Sequence, residues 1–282
     1  MITVNKLFVL NYISTLILIC VSFSCSNTAV SIKTDIGFDT LRIEDTFISE
    51  SEKTALVYKL EIKFIYPETC SDTEKLSQLQ SAFIDKFFTD DKLNAFTPKQ
   101  ALDSFVAKQR NYIQSINLPE DMLNEDSPQD SVILCHLKIK NYINFHDCNI
   151  VSFLVETENY EGGIRPMRNV FGYVYSIQDE NFITEDEFAG INYKKNLAEI
   201  ISEKIEKDQD CKNGKQLEDI GFDPGEIFPN GNFTIDRLGI TYYYNESEIA
   251  PSSIGIIKVF IPFDELEVYI RKENTLAYLY DK

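Results

Sequence analysis

Residues 231–266 limit the possible folds more tightly than any other stretch. Large side chains at Ile240, Tyr242 and Tyr244 alternate with Thr241 and Tyr243, the period of a strand with one buried face. Residues 245–253 bring Asn, Pro and Ser, the chemistry of a connection. Ile257, Val259 and Ile261 resume the alternation with Lys258 on the opposite face, and Pro262, which has no N–H for the ladder, ends it. Phe263, Leu266 and Ile270 then recur at helical spacing. So apolar a strand–connection–strand–helix module reads as domain core. Tyr242 and Tyr244 belong inside it, and Tyr243, on the other face, is a candidate to stack on a sugar ring.

Upstream, residues 56–66 alternate from Leu56 to Tyr66 as a strand with one buried face, closed by Pro67. Ser71 and Glu74 fit a capping box for a helix with Leu76, Leu79, Phe83 and Phe87 on one side. Thr97-Pro98 with Gln100 marks a second helix, and Leu197, Ile200, Ile201 and Ile205 the face of a third. Residues 131–139 and 145–155 read as strands of a hairpin turning at Asn141-Tyr142. The class is therefore α+β: a two-layer arrangement of antiparallel strands with three to four helices, in two packed subdomains. The boundaries expected are a signal segment at 1–25, a polar tether at 26–50 with room for a strand near Phe47, and subdomains at 51–165 and 166–282.

The first 25 residues place Lys6 before an apolar run that ends at Ser22-Phe23-Ser24-Cys25, the pattern of a secretory signal. Small residues before a cysteine favour a lipoprotein with Cys25 lipidated, tethered to the envelope of a bacterium at its outer membrane. Plain cleavage and a retained anchor helix are the alternatives. An exported chain meets an oxidising compartment. The hairpin expected at Asn141-Tyr142 would put Cys135 opposite Cys148, within reach of a disulfide, and Cys70–Cys211 would follow by elimination. A net charge of −18 repels polyphosphate, which argues against nucleic acid and suits a cationic partner.

Candidate chemistry is sparse. Cys135-His136 and His146-Asp147-Cys148 hold ligand-type residues, but neighbours on a strand point to opposite faces, so a disulfide is the better reading than a metal. Glu185-Asp186-Glu187 lacks the spacing of a calcium loop and reads as a solvated acidic connection. Gly162-Gly163 permits positive φ or a close backbone approach, and Arg165 and Arg168 beside it could grip an anion. No catalytic constellation and no cofactor site emerges.

In chain order come Tyr160-x-Gly162-Gly163, a strand, the helix at 193–208, Gly231-Asn232-Phe233, and Glu248-Ile249-Ala250-Pro251-x-x-x-Gly255 with Ile261-Pro262-Phe263-Asp264-Glu265-Leu266. That order resembles the extracellular domain of unknown function shared by the lysozyme-sensing anti-sigma factor RsiV and the peptidoglycan deacetylase PdaC, here over 166–282. Residues 51–165 resemble the domain that usually precedes it. The family's usual Gly-Gly-Ala-His turn is Gly162-Gly163-Ile164-Arg165 here, and neither the sigma-binding segment nor the deacetylase domain is present. The resemblance implies a non-catalytic envelope module that binds or senses a lysozyme-like protein or a peptidoglycan fragment. A cell-wall hydrolase or deacetylase, and a structural lipoprotein without ligand, are the alternatives.

Overall fold

The computed structural model describes residues 35–50, 54–116, 131–190, 193–211, 214–267, 269–271 and 274–280. Cys25 and the expected signal segment lie outside the described residues. Residues 33–282 form one compact unit. The chain runs β1 (Ile36–Glu50), β2 (Thr54–Cys70), α1 (Thr73–Phe88), α2 (Pro98–Ser115), β3 (Ser131–His146), β4 (Ile150–Tyr160), β5 (Met167–Ser176) and β6 (Asn181–Phe182). It continues as α3 (Glu185–Phe188), α4 (Tyr193–Asp208), α5 (Gly214–Asp219), β7 (Phe233–Ile235), β8 (Gly239–Tyr244), β9 (Ile257–Pro262), α6 (Phe263–Leu266) and α7 (Ala277–Tyr280). Strands β1 to β6 make a six-stranded sheet in chain order, and β7, β8 and β9 a three-stranded one. The α+β class holds. All pairings are antiparallel except β2 with β3, which is parallel across the α1–α2 crossover.

Two cores follow from the strand periods. On one face of the large sheet, Leu60, Ile62 and Phe64 of β2 and Val151 and Phe153 of β4 meet Phe83, Phe87 and Phe105 of the helices. Phe83 stacks on Phe153 at 4.1 Å. The opposite face of β4 and β5 carries the small sheet, with Leu197, Ile201 and Ile205 of α4 packed on Tyr242, Tyr244, Val259 and Ile261. Each core is thus a pair of layers, helix on sheet. The helix starts obey their local chemistry: Thr97 and Gln100 complete the capping box of α2. For α1 the cap is Asp72, which accepts from the N–H groups of Glu74 and Lys75, in place of the expected Ser71.

Several expectations are corrected. Residues 36–50, expected in a tether, form a full strand paired along β2, because Ile36 and Phe47 reach the first core. The expected boundary at 165/166 falls between β4 and β5, which are neighbours in one sheet. The hairpin does not turn at Asn141-Tyr142. Asn141 is buried, its amide donating to Ile65 O and accepting from Ile65 N, each at 2.7 Å, so its side chain does the pairing work of a strand peptide. The turn comes at residues 147–149, where Asp147 Oδ1 accepts from the N–H groups of Asn149 and Ile150.

That shift removes the favoured disulfide. Cys135 lies deep in β3 opposite Tyr58, whereas Cys148 sits in the turn. At about 3.3 Å per residue the two are on the order of 40 Å apart. The four cysteines among the described residues are free; Cys70 packs against the first core and Cys211 against the second, so the pairing by elimination is not formed either.

Candidate functional site

A group of polar side chains that includes a buried carboxylate lies in a cleft of about 480 Å³ where the β5–β6 edge of the large sheet meets the β7 loop. Its floor is Gly172, Tyr173 and Val174, its walls Phe182, Phe228 and Phe233, and its polar end Glu185, Asp186 and Tyr193.

The approach of β7 to β5 is what shapes the cleft. A Cβ on Gly172 would stand 2.4 Å from the Phe233 carbonyl oxygen, so only glycine lets the strands come this close. Here β5 has an unpaired edge, and two asparagines serve it. Asn232 accepts from Gly172 N–H at 2.7 Å and donates to Val170 O at 2.8 Å, and Asn245 accepts from Val170 N–H at 2.7 Å. Ser152 of β4 accepts from Ile235 N–H at 2.9 Å and completes the join.

Thr184 and Glu187 cap α3 and turn Glu185 inward. The acidic run expected to be solvated therefore contains a buried carboxylate, 7% exposed. Gly231, at φ +74°, donates its N–H to Glu185 Oε1 at 3.0 Å. Tyr193 donates to Asp186 at 2.8 Å and approaches Glu185 Oε2 at 3.4 Å. Burial raises the Glu185 carboxyl above its ordinary range, against the bond from Gly231 and the nearby Tyr242 and Tyr193 hydroxyls, which lower it. Burial and the neighbouring carboxylates push the Tyr193 and Tyr242 phenols well above their usual value. Tyr242 is fully buried and its hydroxyl leans toward Glu185, yet falls short of hydrogen-bonding geometry with any partner. At the cleft rim Lys86 places its ammonium 4.7 Å over Phe182 and 5.8 Å over Tyr173. Buried carboxylate, phenol, amide groups and aromatic walls make a cleft suited to a polar ring or a cationic group.

The residues singled out in the sequence disperse. Arg165 pairs with Glu246 at 3.1 Å and with Ser252 O at 3.2 Å, while Arg168 pairs with Glu158 at 2.8 Å, so the two do not grip one anion. Gly162 has the positive φ its turn needs, +79°, and lies outside the cleft with Gly163. Tyr243 is buried against Leu154 and Val170 with its hydroxyl on Thr234, so the small sheet's contact with the large one removes it as a sugar platform. His136 bonds Glu158 at 2.9 Å and His146 packs against Phe38; both ride on β3, about 30 Å apart. No group of three or more possible metal ligands occurs among the described residues. Gly172 and Asn232 were missed as cleft formers; the Gly231-Asn232-Phe233 motif carried the signal, without its partner strand.

Residues 180–264 match the family described as protein of unknown function DUF3298. Among curated proteins none matches the chain. A solved DUF3298 family member from Bacteroides fragilis is 21% identical over 88% of this chain and 99% of its own, with a TM-score of 0.77. A DUF3298 family protein from Pseudomonas aeruginosa is 10% identical, over 84% and 95%, with a TM-score of 0.58. The chain thus shares the fold of these proteins, and the matched region holds Glu185, Tyr193, Gly231 and Asn232.

Proposed function

We propose that this protein is a cell-envelope lipoprotein, lipidated at Cys25, whose folded domain is a non-catalytic module that binds a peptidoglycan fragment or a lysozyme-like protein, as in domains of the RsiV and PdaC type. The cleft at Glu185 is the observation that carries the reading. Its volume lies in the range of small-ligand sites, and its mixture of aromatic walls with carboxylates and amides is what a saccharide or a cationic side chain requires. The net charge of −18 adds long-range attraction for a cationic protein.

The test is a pull-down of residues 26–282 against muropeptides and a panel of lysozymes at low and high salt. Retention of a lysozyme at low salt and its loss at high salt is expected for a sensor of the protein; retention of muropeptides at both is expected for wall binding. Retention of neither would overturn the proposal.

A cell-wall hydrolase is the second reading, and one feature favours it: a buried carboxyl of raised pKa beside a second carboxylate is how a general acid is prepared. Muropeptide turnover that is abolished in Glu185→Gln would replace the binding reading with this one.

A further inference from the structure

The part of the large sheet left uncovered by the small sheet is basic, on a chain that is otherwise acidic. Register sets Arg42, Lys63, Lys140 and Glu156 side by side in one row across β1 to β4. The next row reads Glu44, Glu61, Lys138, Glu158 and Arg168, and Lys59 and His136 share a third. Strands lie about 4.8 Å apart, so three cations stand as direct neighbours in the first row, an arrangement that is unfavourable within a sheet by itself. Their relief is partial: Lys140 reaches Glu61 at 2.6 Å, and Lys63 lies 4.8 Å over the Tyr142 ring. Burial alone would raise Glu158, but hydrogen bonds from Lys138 and Arg168 outweigh it and keep the carboxylate charged.

Against this floor the small sheet sets a wall. Ile256 and Lys258 close a trough of about 360 Å³ over Lys138, Lys140, Tyr142 and Arg168. It shares no lining residue with the cleft at Glu185. Tyr142 is 39% exposed, so one face of an aromatic ring is open beside the cation row.

We propose that this trough binds an acidic polysaccharide, a chain of sugar rings carrying carboxylates. Lys140 and Lys258 line the trough and take the carboxylates, with Lys63 beside them over Tyr142, whose ring offers a stacking face to a sugar, and Glu156 bonds the hydroxyls. Mixed charge decides the class. Glu156 and Glu158 repel a polyphosphate, whose charges are dense, but accept from the hydroxyls that a sugar presents between its charges. A neutral glycan would leave the cation row unanswered.

The test is calorimetric titration of the full-length protein in detergent with oligogalacturonate, with neutral dextran and polyphosphate in parallel. Expected is salt-sensitive binding of oligogalacturonate alone. Lys63→Gln with Lys140→Gln should weaken it by roughly tenfold or more. Tyr142→Ala, a change at a half-exposed position, should weaken it independently, while Lys194→Gln in the Glu185 cleft should leave it unchanged. Absence of binding by the wild type, undiminished binding by both trough variants, or tighter binding of polyphosphate would each overturn the proposal.

Discussion

Glu185 has one oxygen on the Gly231 N–H and the other near the Tyr193 hydroxyl. Its folded pKa is raised because burial disfavours the charge. The sign follows: its contribution to stability is fully present below the unfolded value of about 4.3 and is lost as pH rises through the folded value. Glutamine has no charge to bury, so the melting temperature of Glu185→Gln should gain on the wild type as pH is raised from 4 to 8. A difference that is flat with pH would contradict the burial account. Gly172 presents a steric case of the same kind. Gly172→Ala drives a methyl into the Phe233 carbonyl and should cost about 2 kcal/mol in urea denaturation, since β7 must shift away. Neither role was legible in the sequence. Nothing in Glu185-Asp186-Glu187 says which carboxylate turns inward, because the deciding N–H belongs to Gly231, 46 residues on.

Among the described elements, β1 is the long edge strand of the large sheet. Ile65 turns its own N–H and C=O toward Asn141, so its antiparallel partner Thr40 directs its N–H outward, and Thr46 has the same parity. Both outward donors are occupied by a neighbouring carboxylate, Thr40 by Asp39 at 2.7 Å and Thr46 by Asp45 at 2.8 Å. Charge and capped donors together discourage strand addition. Asp39→Ala with Asp45→Ala should therefore self-associate at concentrations where the wild type is monodisperse, as read by light scattering. Equal behaviour of the two would remove this role. The elements read correctly from sequence are those whose signals are local, such as Thr97-Pro98 with Gln100 or the alternation from Leu56 to Tyr66. Asn141 misled because its partner, Ile65, is 76 residues away, and an asparagine satisfied at that distance looks like a turn residue.

At the scale of the whole molecule, two apolar cores were foreseeable from the strand and helix periods, but the sheet that joins them was not. Strands β4 and β5 send alternate residues to opposite cores, Val151 and Phe153 to one, Ile150 and Val174 to the other. An alternation of this kind has no polar face, so it hides its period and invites a boundary between two strands that share one sheet. The parallel pairing of β2 with β3 bears on the order in which the chain can fold. The hairpins β1–β2, β3–β4 and β4–β5 close from neighbouring sequence, but the β2–β3 ladder must wait for α1, α2 and the residues after them. Long-range closure of this sort is slow, because the chain between must lose its freedom before any contact rewards it. During synthesis α1 and α2 can cover the apolar face of β2 early, whereas its inner edge stays unpaired until β3 is made. That interval is when a nascent chain of this fold is most open to pairing with the wrong strand.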